Sequence, residues 1–157
     1  MTTLTVRKHD GAFVLDSAAG PRAWLRTGWT WRCAEIRTGT GLWTVGPTDR
    51  RRIAVTARAE HGVAVRLDPR GSHVPGPGGM VRWAPGHRCG ELVRDEHRLA
   101  VRLTGRPGGA IRVDVTGEWA EVELVALTAC FALMSRRRQR TLIMMAVIGG
   151  AGGAPTG

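Results

Sequence analysis

The chain has no tyrosine, two phenylalanines and a single lysine, Lys8, against 22 arginines. Arginine without lysine is what a GC-rich coding sequence supplies wherever a surface needs a cation. The formal charge of +10 is therefore read first as a solvated basic surface. The footprint of an acidic partner, nucleic acid or anionic lipid, is the second reading. Only three cysteines occur, Cys33, Cys89 and Cys130. An odd number with no repeated spacing argues against a disulfide framework. The N-terminal stretch MTTLTVRKHDGAFVLD lacks the apolar centre of a secretion signal, and the setting expected is reducing and cytoplasmic. No apolar stretch reaches the roughly 20 residues that a membrane-spanning helix requires. What remains is ordinary: 43% hydrophobic residues in 157, enough for one domain with a core that needs neither disulfides nor metal.

Catalytic and metal motifs are also missing. The histidines, His9, His61, His73, His87 and His97, fall in predicted turns or loops, and none pairs with another at ligand spacing. His87 stands two residues from Cys89, a lone pair that needs further ligands to hold a metal. Ser72-His73 lies in a loop without the G-x-S-x-G elbow. TGTGLWTVG has no following helix, and GPGGM has no P-loop Lys. Glu91, Asp95 and Glu96 around Arg94 read as a charged hairpin end, since acid–base work needs a cleft to separate two carboxylate pKa values. No catalytic residue, metal ligand or cofactor is assigned, and the enzyme question leans towards none.

Residues 1–117 alternate apolar and polar side chains in short runs separated by turns. VRKHDGAFVLD is two runs about Asp10-Gly11, a pair that tolerates positive φ and marks a hairpin. RIAVTARAEHGVAVRLDP repeats the plan, with Ile53, Val55 and Ala57 on one face and Val63, Val65 and Leu67 returning. In a third copy Leu99, Val101 and Leu103 face in with Ile111, Val113 and Val115. Period two means one buried and one wet face. Weaker runs at 22–26, 29–36, 42–46, 80–84 and 89–94 bring the total to about eleven strands. Pro75 and Pro77 lack ladder donors and make RGSHVPGPGGM a long loop. Trp24, Trp29, Trp31, Trp43 and Trp83 are expected to pack in the core and rim. Base-stacking platforms would require rings exposed beside arginines.

From Val122 to Met134 only Glu123 and Thr128 are polar. Thirteen helical residues span about 20 Å, short of a bilayer. Thr116 or Gly117 is placed as the cap, with Glu118, Glu121 and Glu123 at the positive end of the dipole and arginines at the negative end. Apolar side chains go all round, so protein must surround the helix. The expected fold is mainly β: a closed antiparallel barrel of about 11–12 strands enclosing a C-terminal helix over 118–136. Residues 1–140 form one domain, and 141–157 an apolar, then Gly-rich, tail. In the core, Leu124, Leu127, Phe131 and Met134 are expected to have little accessible surface, and Cys130 reads as a small buried hydrophobe.

Hairpins such as VRKHDGAFVLD closed by VDVTGEWAEVELVALTACFALMSRRRQR resemble the tubby-like barrel superfamily, which includes LURP-one-related proteins and phospholipid scramblases. The bacterial LURP-one-like branch is nearest in size, and the resemblance covers roughly Leu4 to Arg140. It implies a twelve-stranded barrel threaded by a hydrophobic helix, and a non-enzymatic binding or scaffold role. An acidic calcium loop and a lysine cluster are both missing, so no binding residue carries over. Alternatives are a barrel enclosing a small-molecule ligand, as in a cyclase or isomerase, and a single-stranded nucleic-acid binder. The best anionic contacts are Arg50, Arg51 and Arg52 with Arg136, Arg137, Arg138 and Arg140. Expected partners are an anionic membrane surface, with the protein peripheral to it, or another protein. For the run 142–148 the preferred expectation is a continued helix docked on the barrel or on a second copy, because exposure invites aggregation. The alternative is a surface anchor acting with the adjoining arginines.

Overall fold

The computed structural model describes residues 1–105 and 109–150. Eleven strands form one antiparallel sheet: β1 (Thr2–His9), β2 (Ala12–Ser17), β3 (Gly20–Thr27), β4 (Ala34–Thr38), β5 (Gly41–Pro47), β6 (Val55–Ala59), β7 (Gly62–Leu67), β8 (Arg82–Pro85), β9 (Cys89–Arg94), β10 (His97–Leu103) and β11 (Ile111–Thr116), followed by one helix, α1 (Val122–Gly150). The sheet order is β7-β6-β5-β4-β3-β2-β1-β11-β10-β9-β8. Consecutive strands pair throughout except β7 and β8, which are the two edges, and β1 meets β11 with Leu4 opposite Val113. The sheet curls into a nearly closed barrel. Its seam is completed by the loop read as non-strand: His73 exchanges two 2.8 Å hydrogen bonds with Arg66, and Ser72 bridges Val81. Asp68 shapes that return. Its carboxylate accepts from the Arg70 N–H at 2.9 Å, while its own N–H and C=O are bonded by the Ser72 hydroxyl.

The period-two pattern sets the inside. Leu4, Val6, Leu15, Leu25, Ile36, Val45, Val55, Leu67, Leu92, Leu99, Val101 and Val113 are all at most 2% exposed. Asp10 and Gly11 adopt φ of 48° and 76° and make the expected tight turn. Two expectations change. The run 29–36 is displaced, because 28–33 is a loop and β4 begins at Ala34. Val63 is exposed, because a register shift leaves it opposite Arg58 while Val65 stays opposite Ala57. The extra residue turns Val63 to the wet face.

Inside this sheet lies α1, touching β3 to β7 as well as β9 and β10. Residues 124–133 are buried on every side. Leu124, Leu127 and Phe131 are fully buried, whereas Met134 is half-buried at the mouth. Thr128 returns its hydroxyl to the Leu124 carbonyl at 2.7 Å, which satisfies the polar group within the helix. The helix starts later than the sequence indicates. Glu121, not Thr116 or Gly117, supplies the first carbonyl, accepting from Val125 at 3.0 Å. It also ends later, running without a break through Arg136–Arg140 to Gly150. Of the expected Gly-rich tail, 151–157 lies outside the described residues.

Candidate functional site

Antiparallel order sorts the hairpin connections to one of two barrel ends, while the β7–β8 loop runs along the seam from the exit end to the entry end. The helix enters at the end carrying the β2–β3, β4–β5, β6–β7 and β9–β10 turns and the loop after β11. It leaves at the other, where the β3–β4, β5–β6 and β8–β9 loops lie. The connections at the entry end, with the first helical turn, carry Glu60, Asp95, Glu96, Glu118, Glu121 and Glu123, and no Arg or Lys. The exit end carries Arg32, Arg50, Arg51, Arg52, Arg70, Arg88 and the four helix arginines, with Asp10, Asp49 and Asp68 as the described acids. The molecule is therefore polarised along the barrel axis, on top of basic barrel walls.

The fold brings both predicted arginine runs to the exit end. The Gln139 amide donates to the Arg50 carbonyl. Arg50, Arg51, Arg137 and Arg140 are exposed, and Arg136 and Arg138 are half-buried. Arg52 leaves the set. It is buried, and its Nη1 donates to the carbonyls of Thr30 at 2.8 Å and Ser135 at 3.1 Å. Burial, and secondarily Arg32, lower its pKa from the usual value. Ser135 adds a hydroxyl bond to the Trp31 carbonyl at 2.9 Å. Arg52 and Ser135 together fasten the helix where it crosses the rim.

From Ile143 onward the helix stands free. Residues 143–150 are all exposed, with Ile143 at 56% and Ile148 at 71%. The expected docking of this run on its own barrel does not occur. Around its base, Arg138 donates to the Trp29 carbonyl at 3.1 Å and stacks over the Trp29 ring at 4.7 Å. Trp29 is 68% exposed. Arg140 contacts His87, and a cleft of about 230 Å³ is lined by His87, Arg88, Arg136, Arg137, Arg140 and Met144. Arg88 escaped sequence reasoning, and Trp29, expected in the core or rim, is exposed instead, since only the closed barrel sets their loops beside the helix. Trp31, Trp43, Trp83 and Trp119 are buried as core and rim; Trp24 and Trp29 are exposed.

The other candidates stay apart. Among the described residues no three His, Cys, Asp or Glu side chains gather as a metal site. All three cysteines are free, and burial pushes the Cys130 thiol up to about 12. Arg94, expected at a charged hairpin end, is instead 5% exposed. It lines a cleft of about 690 Å³ at the helix-entry end. No described helix is long and apolar enough to cross a membrane. No protein-family model matches the chain, and neither a curated protein nor a solved structure matches it.

Proposed function

We propose that this is a non-catalytic binding protein of the tubby-like, LURP-one-related kind, which stands end-on against an anionic membrane surface. One observation carries the reading: the axial helix leaves the barrel through a collar of arginines and continues as an exposed segment that is apolar on every face. Ten residues from Thr141 to Gly150 extend about 15 Å. That is one leaflet of a hydrocarbon core about 30 Å thick. Arginines at the base then sit at phosphate level, each worth about 1 kcal/mol near an anionic surface. Trp29 adds an aromatic of the kind enriched at that depth. Burying Ile143, Met144, Met145, Val147 and Ile148 contributes on the order of 1.5 kcal/mol or more per side chain. The segment is already helical, so little ordering entropy opposes insertion. Support for binding over a ligand-enclosing barrel comes from the helix itself, which occupies the axis where a ligand would lie.

Co-sedimentation tests it. The full chain should pellet with vesicles containing about one-third phosphatidylserine. It should bind pure phosphatidylcholine at least tenfold more weakly and be released progressively by salt, as screening shortens the electrostatic reach. Deletion from Thr141 should abolish pelleting, and replacing Arg136, Arg137 and Arg140 by Gln should weaken it at least tenfold. Unchanged pelleting after the deletion would remove the helix as the anchor. A full chain that never pellets but dimerises through 142–148 would reassign the segment to a second copy.

A further inference from the structure

At the end opposite the arginine collar, Arg94 presents an unexplained charge. Its guanidinium is packed against the Trp119 ring at 5.0 Å. Nη2 donates to the Glu118 carbonyl at 3.3 Å. The loop after the seam lies on its other side: a Cβ at Gly78 would meet Arg94 Cδ and Nε at 2.7 Å, and Gly78 has φ of 146°. Only glycine fits there. The entry end holds six carboxylates, yet Arg94 has no ion pair with any of them among the described residues. A buried cation normally has a counter-ion, because desolvating it alone is costly. Arg94 lines the 690 Å³ cleft, whose walls include Leu4, Val115, Trp119 and Val122. His97 lines it too. The Glu118 N–H donates to His97 Nδ1 at 3.0 Å, which places the ring proton on Nε2 as a second donor.

We propose that this cleft binds a small amphipathic carboxylate, with its carboxylate on Arg94 and His97 and its apolar body against Trp119, Leu4 and Val122. The volume lies in the range of ligand sites, and a mostly apolar wall with a few fixed polar groups is their usual make-up. Arg94 is 5% exposed and is held between the Trp119 ring, the Gly78 loop and the Glu118 carbonyl, so the cation is fixed before a ligand arrives.

The test is calorimetry on the full chain with octanoate as the probe, octanamide as its neutral counterpart, and inorganic phosphate as a competitor. Octanoate should bind with one-to-one stoichiometry, and octanamide at least fivefold more weakly, since a charge-assisted bond to Arg94 is lost. Phosphate should not displace octanoate. Arg94→Gln should weaken binding at least fivefold. Should that variant fail to fold, Thr2→Trp decides: Thr2 is exposed at the cleft edge, and the added indole should block octanoate while leaving Arg94 in place. Octanamide binding within fivefold of octanoate, non-saturating octanoate binding, displacement by phosphate, or unchanged affinity in Thr2→Trp would each overturn the proposal.

Discussion

Truncating Phe131 and Ile148, 17 residues apart on one helix, gives opposite results if α1 is half enclosed and half free. Phe131 is fully buried. Its ring lies 5.9 Å from that of Trp31, which in turn meets Phe13 edge-on at 5.3 Å. Phe131→Ala empties a close-packed site on the barrel axis, where β1–β6 and β9–β11 are each hydrogen-bonded on both sides and resist collapsing inward. Such substitutions cost about 3–5 kcal/mol, and the lost aromatic pair places this one in the upper half. At about 2–4 °C per kcal/mol for a chain of this size, the midpoint of thermal unfolding falls by roughly 8–20 °C. Ile148 is 71% exposed, so Ile148→Ala should change stability by less than about 0.5 kcal/mol. Urea unfolding followed by far-UV circular dichroism, with the slope unchanged, reads both values. A loss under 1.5 kcal/mol for Phe131→Ala would mean that the barrel does not enclose the helix. A loss above 1 kcal/mol for Ile148→Ala would mean that the free segment is covered in solution.

Thiol chemistry gives a second check: at pH 8 the native chain should titrate two cysteines, Cys33 and Cys89, and release Cys130 only on unfolding, because a thiol held up to about 12 has almost no thiolate. Asp68 gives a third. The Arg70 N–H, with Arg66 and Arg70 beside it, holds its carboxyl below the usual range. Its stabilisation is present above the unfolded value near 3.9 and is lost as pH falls through the folded one. Asp68→Asn should therefore be destabilised at pH 7, with the gap to wild type closing below about pH 4 in parallel urea titrations.

The strands were legible because alternation reports a face directly, and the helix because its apolar residues leave no wet face. Errors arose where a side chain far away in sequence decides local shape. Trp29 and Trp31 imitate strand alternation, but Trp31 takes φ of 56°, and Arg52 takes up the carbonyls of Thr30 and Trp31. Arg52 itself looks like its two neighbours in sequence; only its contacts with Thr30, Trp31 and Ser135 separate it from them. Arg94 sits in a run of charges that reads as solvent-exposed. Its burial depends on the Gly76–Gly79 loop and on Trp119, neither of which is its sequence neighbour. Convergence of Arg50 with Arg136–Arg140 required the strand order, which no spacing encodes.

The continuation of α1 also changes what its arginines mean. Had the helix ended at Arg140, Arg136, Arg137, Arg138 and Arg140 would stabilise its negative pole, and local chemistry would explain them. The helix runs ten residues further, and its last turn contains no basic residue. The dipole effect falls off within one turn, so four arginines lie mid-helix where the helix has no use for them. Arg138 is partly engaged by Trp29 and Arg140 by His87, but no carboxylate pairs with any of the four among the described residues. At that level the chain passes from an enclosed apolar helix to an exposed apolar one, with a charged collar between them. Protein lies below it. The proposed lipid surface, apolar and fronted by negative charge, would lie above it and would account for the collar and the free segment together.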